Sequence, residues 1–171
     1  HATDISRKFA SVRLHRIRST LEPMFEATRN DLLAHPDDLN KKADFAVTLQ
    51  RAGLRSEAIS LYEDLLKHGG PNWQVYYNLG LLYKGEEQFD VSLRNFQMSL
   101  ALSSSSGMIH NELGILYKRS KEYNRAIDHF NKAIELDPES AKPLVNLARL
   151  HFQLGNKTQA MKTFNHVRTK F

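Results

Sequence analysis

The sequence predicts an all-α protein, a solenoid of helix–turn–helix repeats. Three observations predict it. Near-copies of one pattern recur every 34 residues, starting at Asn78, Glu112 and Asn146: Asn78-Leu79-Gly80-Leu81-Leu82-Tyr83, Glu112-Leu113-Gly114-Ile115-Leu116-Tyr117 and Asn146-Leu147-Ala148-Arg149-Leu150-His151, with a weaker copy from Asp44 to Leu49. Within each period apolar residues return at helical spacing twice, with a short polar break between the two runs. Gly (8) and Pro (5) are scarce and collect at the breaks, as helix stops do.

Three further sets keep the same register: Ala58, Ser92, Ala126, Ala160; Tyr62, Phe96, Phe130, Phe164; and Leu65, Ser99, Ala133, Val167. Four sets in register without a gap define repeats over residues 39–72, 73–106, 107–140 and 141–171, as one continuous domain. Repeat positions 4, 7, 8 and 11 form the apolar stripe of a first helix, and positions 20, 24 and 27 that of a second. The polar breaks are Gln50 to Gly53, Lys84 to Glu87, Lys118 to Lys121 and Gln153 to Asn156; repeats end at His68 to Pro71, Ser103 to Gly107 and Asp137 to Glu139. Before them, residues 1–38 read as a degenerate helical pair or cap. A helix over 4–18 carries Arg7, Lys8, Arg13, Arg16 and Arg18. A second, over 20–35, is started by the capping box Ser19-x-x-Glu22 with Pro23 in its first turn. The last helix, with Met161, Phe164, Val167 and Phe171, shows an apolar face that nothing later in the chain covers. A solenoid end of that kind calls for a polar cap, further chain or another subunit.

Small residues at position 8 (Ala46, Gly80, Gly114, Ala148) and position 20 mark where the paired helices approach most closely. A larger side chain there costs roughly 1–3 kcal/mol of overpacking. The aromatic at position 24 fills the volume beside that contact. The 34-residue period, the Leu-Gly…Tyr run, the small residue at 20, the aromatic at 24 and the Asp137-Pro138 terminator resemble the tetratricopeptide repeat family. The chain departs from that pattern at position 4, where Lys42, Tyr76, His110 and Leu144 replace Trp, and at position 32, where only Pro138 keeps the Pro. The resemblance implies a right-handed superhelix, no catalysis, and a concave face that binds protein or peptide. It further implies that Asn78 and Asn146, at position 6, contact a ligand's main chain. Family members that clamp a C-terminal carboxylate need a Lys/Asn/Asn/Lys/Arg set. The two frames here give Ala43, Val47, Asn78, Met108, Glu112 and Tyr77, Leu81, Glu112, Lys142, Asn146, so neither makes that clamp.

On a helical wheel, positions 2, 5, 6, 9, 12 and 13 lie opposite the core stripe. Stacking would align them into one groove. The candidate groove residues are Tyr77, Asn78, Leu81, Lys84, Met108, Asn111, Ile115, Lys118, Arg119, Lys142, Val145, Asn146 and Arg149. Asn78, Asn111 and Asn146 offer amides to an extended backbone. Tyr77, Leu81, Ile115 and Val145 offer apolar contact, and the cations outnumber Asp44 and Glu112. An amphipathic, net basic groove suits a protein or peptide of acidic character. The expected role is an adaptor or scaffold in assembly or targeting. The alternatives are self-assembly through exposed terminal helix faces, giving a homo-oligomer, and association with an anionic membrane or nucleic acid through Arg7–Arg18. Those arginines fall all around the wheel, which argues against a membrane-lying helix.

Composition excludes several classes. Absence of Cys excludes disulfides, thiolate nucleophiles and Cys-based metal sites, and suits cytosol and periplasm alike. No apolar run approaches the roughly 20 residues of a membrane span. A net charge of +5 favours acidic partners without demanding nucleic acid. No signal peptide is visible, and a start at His1 rather than Met is expected of a processed product or a fragment. No phosphate-binding Gly-rich loop or nucleophile elbow occurs, so neither enzyme activity nor a cofactor is expected. Among eight His, none has the spacing of a metal motif; His110 and His151 stand at core positions 4 and 11, where a buried imidazole with a satisfied hydrogen bond is expected. Ser103–Ser106 reads as a flexible turn, and Asn156-Lys157-Thr158 as a chance glycosylation sequon.

Overall fold

The computed structural model describes residues 21–170. The expected helix over 4–18 with its arginines, Ser19 and Phe171 lie outside the described residues. Among the described residues there are helices and no strand. They are α1 (Glu22–Ala34), α2 (Leu39–Arg51), α3 (Arg55–Gly69), α4 (Trp73–Gly85), α5 (Phe89–Leu102), α6 (Gly107–Arg119), α7 (Tyr123–Leu136), α8 (Ala141–Gln153) and α9 (Lys157–Lys170). They form two compact units, α1–α4 and α5–α9, dividing between Glu86 and Glu87.

Local chemistry sets the helix ends. Asp38 caps α2, its Oδ1 accepting from the backbone N–H of Asn40 at 2.8 Å and of Lys41 at 3.3 Å. Asn72 caps α4 in the same way, toward Gln74 and Val75. Each bond satisfies an amide that the first helical turn leaves unpaired. At α1 the residue before the helix is Leu21, with no side-chain cap, and Pro23 sits in the first turn as expected. Glu22 is thus the first helical residue and not the third, which corrects the capping-box expectation. The turns inside the helix pairs repeat in backbone conformation. Gly53 (φ 77°), Glu87 (φ 60°), Lys121 (φ 63°) and Gly155 (φ 78°) all lie in the left-handed region, 34 residues apart. Glu87 and Lys121 hold a conformation that costs an L residue roughly 1–2 kcal/mol. The helix-pair geometry therefore dictates the turn even where its sequence does not.

In the first unit the core runs through Phe25, Phe45, Leu49, Leu61 and Tyr62, all at or near zero exposure. Phe25 and Phe45 meet with ring centroids 5.3 Å apart. The Tyr62 hydroxyl donates to Gln50 Oε1 at 3.2 Å, and burial pushes its pKa up to about 12. Position 4 of the first repeat is not apolar. Lys42 is 4% exposed, and its Nζ donates to Asp64 Oδ2 on α3 at 2.8 Å. A buried ammonium is tolerable only with such a partner.

In the second unit α6 packs on α7, α7 on α8 and α8 on α9. Ala126, Phe130, Ala133 and Ala148 are fully buried. The tightest approach at Gly114 is made by the position-24 ring: a Cβ on Gly114 would lie 2.6 Å from Phe130 Cε1. The small residue at position 8 thus makes room for the aromatic of the facing helix.

Candidate functional site

The first turns and middles of α6 and α8 face one another across a cleft of about 370 Å³ in the second unit. It is lined by Asn111, Glu112 and Ile115 from α6, and by Ala141, Lys142, Val145, Asn146 and Arg149 from α8. The periodicity explains this convergence. Residues at i, i+1 and i+4 of α6 and at i, i+1, i+4, i+5 and i+8 of α8 share the helix side turned from the core. Opposite them Leu113, Leu116, Leu144, Leu147 and Leu150 are buried. Ile115 and Val145 give the floor an apolar patch, while Lys142 and Arg149 stand exposed at its margins.

The amides do not stand free as the sequence suggested. Asn146 Nδ2 donates to Asn111 Oδ1 at 2.9 Å, and Asn111 Nδ2 makes a long 3.4 Å contact with Glu112 Oε1. Asn111 is 7% exposed. The pair therefore ties α6 to α8 across the cleft, and its most exposed member, Asn146, is the one that can still meet a ligand.

Six of the candidate groove residues line this cleft: Asn111, Ile115, Lys142, Val145, Asn146 and Arg149. Three others share α6 but stand outside it. Met108 is 53% exposed in the first turn, Lys118 lies in the last turn, and the Arg119 guanidinium sits 3.7 Å over the Phe89 ring centroid. Arg119 thus stacks on Phe89 of α5. Tyr77, Asn78, Leu81 and Lys84 lie half-buried on α4 of the first unit. Asn78 hydrogen-bonds the Tyr62 hydroxyl, so that amide is also engaged internally.

A second polar cluster escaped the sequence reading. His110 Nδ1 on α6 and His129 Nδ1 on α7 are 2.9 Å apart, so one ring donates and the other accepts. Tyr117 stacks on His129 at 5.2 Å, and the Tyr117 hydroxyl accepts from Gln97 Nε2 at 3.2 Å. Burial holds both imidazoles below the ordinary His value; at His110 a backbone hydrogen bond with Ser104 works the other way. His110 therefore has the expected partner. His151 does not, because its Nδ1 is buried without a hydrogen-bond partner on a stripe built of apolar residues. The signal that could have found the pair was a second His 19 residues on, at position 23 of the same repeat. Among the described residues, no group of three or more His, Asp or Glu is placed to hold a metal ion, and no helix is long and apolar enough to cross a membrane.

Two family models, both described as tetratricopeptide repeat, match residues 77–141 and 118–170, which together span more than half the chain. No curated protein matches the chain in sequence. Among solved structures, MamA (41 to the end) from Desulfovibrio magneticus RS-1 superimposes with a TM-score of 0.79 at 18% identity, covering 98% of this chain and 92% of that one. PilF of Pseudomonas aeruginosa gives 0.78 at 17% identity, covering 99% and 77%. YrrB, described as a TPR protein with an unusual peptide-binding site, gives 0.70 at 17% identity, covering 97% and 82%. At these identities the likeness establishes the fold, an all-α solenoid of helical repeats.

Proposed function

The chain belongs to the tetratricopeptide repeat family, and from that premise we propose that it is a non-catalytic protein–protein interaction module which holds an extended acidic peptide in the α6–α8 cleft. One observation carries this reading: six side chains that the repeat register singles out line the same cleft. Ile115 and Val145 take an apolar side chain of the ligand. Lys142 and Arg149, on either flank, take its carboxylates, and Asn146 takes a main-chain group. That YrrB is described as peptide-binding supports the reading by analogy of fold. An adaptor role follows, because a cleft this open orders an extended ligand at a cost that leaves affinity near micromolar, about 8 kcal/mol.

The test removes the amide pair as a pair. Asn111→Ala with Asn146→Ala deletes donor and acceptor together, so no buried group is orphaned and the fold survives. A pull-down quantified by mass spectrometry should recover about tenfold less of the principal partner, while circular dichroism and the melting temperature stay near those of the unaltered protein. Undiminished recovery of every partner would remove the cleft as the binding site.

A further inference from the structure

Repeat positions 5, 6 and 9 of α6 line the α6–α8 cleft together with the same positions of α8, and Asn111 meets Asn146 at 2.9 Å. The two helices therefore lie level with one another, and the cleft runs along them. Along α8 its chemistry changes in a fixed order. Lys142 stands exposed at one end and Arg149 at the other. At the rise of an α-helix their backbones are about 10 Å apart along the axis. Val145 and Asn146 lie between them, half-buried, with Ile115 also in the floor. Glu112 belongs to the same middle level, since its Oε1 lies 3.4 Å from Asn111 Nδ2. The cleft thus reads cation, apolar floor beside a carboxylate, cation.

This order constrains both the conformation and the spacing of a ligand. Asn146 gives one amide N–H to Asn111, which leaves its Oδ1 and its second N–H for a ligand's main chain. An extended backbone can meet them, whereas within a helical ligand those groups are already bonded to each other. In an extended chain, side chains at i, i+2 and i+4 share one face and cover about 13 Å. That exceeds the Lys142–Arg149 separation by about 3 Å, which two long side chains take up. Acids two residues apart leave no side chain between them to cover the floor. Acids three apart put one on the far face, and acids six apart overshoot at about 20 Å. Glu112 and the apolar floor together reject an acid at the middle position.

We infer that the cleft selects an extended segment of the pattern acid–x–apolar–x–acid. The inference rests on the peptide-binding reading above and adds the ligand's register. The carboxylates at i and i+4 meet Lys142 and Arg149, one at each end. The apolar side chain at i+2 sits on Ile115 and Val145, and Asn146 bonds the main chain beside it. Complementary charge at the two ends fixes register, and Glu112 penalises a ligand shifted to bring an acid to the centre.

Fluorescence anisotropy of the full chain with short labelled peptides tests this. Asp-Ser-Leu-Ser-Asp set in a Gly-Ser frame should bind at least about tenfold tighter than peptides of the same composition with the acids three or six residues apart. It should exceed a peptide with Asp for the central Leu by a similar factor. Lys142→Glu should move the preference to a peptide with Lys for one of the two Asp, and Arg149→Glu to a peptide with Lys for the other, both with unchanged circular dichroism. Equal affinity for all spacings, or a preference unmoved by both charge reversals, would overturn the inference and leave the cleft as a peptide site. Absence of binding by every peptide at millimolar concentration would overturn it together with the acidic-peptide reading.

Discussion

Helix pairs α2–α3 and α6–α7 place different chemistry at the same repeat positions. At position 4, α2 buries Lys42 against Asp64 of α3, whereas α6 sets His110 against His129 of α7. At positions 8 and 24, the first pair has Ala46 and Tyr62, and the second has Gly114 and Phe130. The repeat therefore specifies how far a side chain reaches and how much room it finds. It does not specify polarity. A charged or polar group is accepted at position 4 wherever the facing helix supplies a partner. The partner's position shifts with the reach of the side chain: Asp64 stands at position 26 of its repeat, and His129 lies three residues earlier, at position 23 of its own.

The largest break in this comparison should come from the ion pair. Asp64→Ala leaves the Lys42 ammonium buried without its carboxylate and should cost about 3 kcal/mol by denaturant unfolding. Replacing both, Lys42→Met with Asp64→Leu, should recover most of that loss, since an apolar pair of similar volume needs no compensation. Equal costs for the single and double variants would mean that Asp64 does not support Lys42.

Next in size is the glycine contact. Gly114→Ala puts a methyl carbon 2.6 Å from the Phe130 ring and should cost about 2 kcal/mol. Adding Phe130→Leu should cost less than the sum of the two single changes, because the smaller side chain vacates the space. In the other pair, Ala46→Gly should cost at most about 1 kcal/mol, the ordinary loss of helix propensity. Strict additivity at Gly114 and Phe130 would show that the ring does not press on the glycine.

The smallest effect separates the two polar pairs by pH. Desolvation lowers the pKa of His110 and His129 in the folded protein from the ordinary 6.5, and mutual repulsion adds to the shift at His129. Below that value the unfolded chain binds protons more readily than the folded one. The contribution is therefore complete above pH 6.5 and is lost as pH falls through the folded values. The melting temperature should drop between pH 7 and pH 5, and His129→Phe should flatten part of that drop. A profile unchanged by His129→Phe would place the acid sensitivity elsewhere.

Much of this architecture was legible because its signal is periodic. Residues such as Ala126, Phe130 and Ala148 could be assigned to the core from spacing alone, since a position repeated on a helix face meets the same neighbour each time. The same periodicity brings six of the thirteen proposed groove residues, Ile115, Val145 and Arg149 among them, to one cleft. The stacking of Arg119 on Phe89 was not legible, because it joins the last turn of α6 to α5 through a long side chain. The engagement of Asn111 with Asn146 was not readable either, since it depends on the distance between α6 and α8.

By itself the sequence determined the helices, their pairing and the positions turned toward the core or away from it. Those follow from local spacing and side-chain volume, and both are properties of the chain before it folds. Only the tertiary structure decided which polar groups meet: Lys42 with Asp64, His110 with His129, Asn111 with Asn146. It also set Glu87 and Lys121 in the left-handed region. These outcomes depend on distances of a few ångströms between separate helices, which no residue encodes alone.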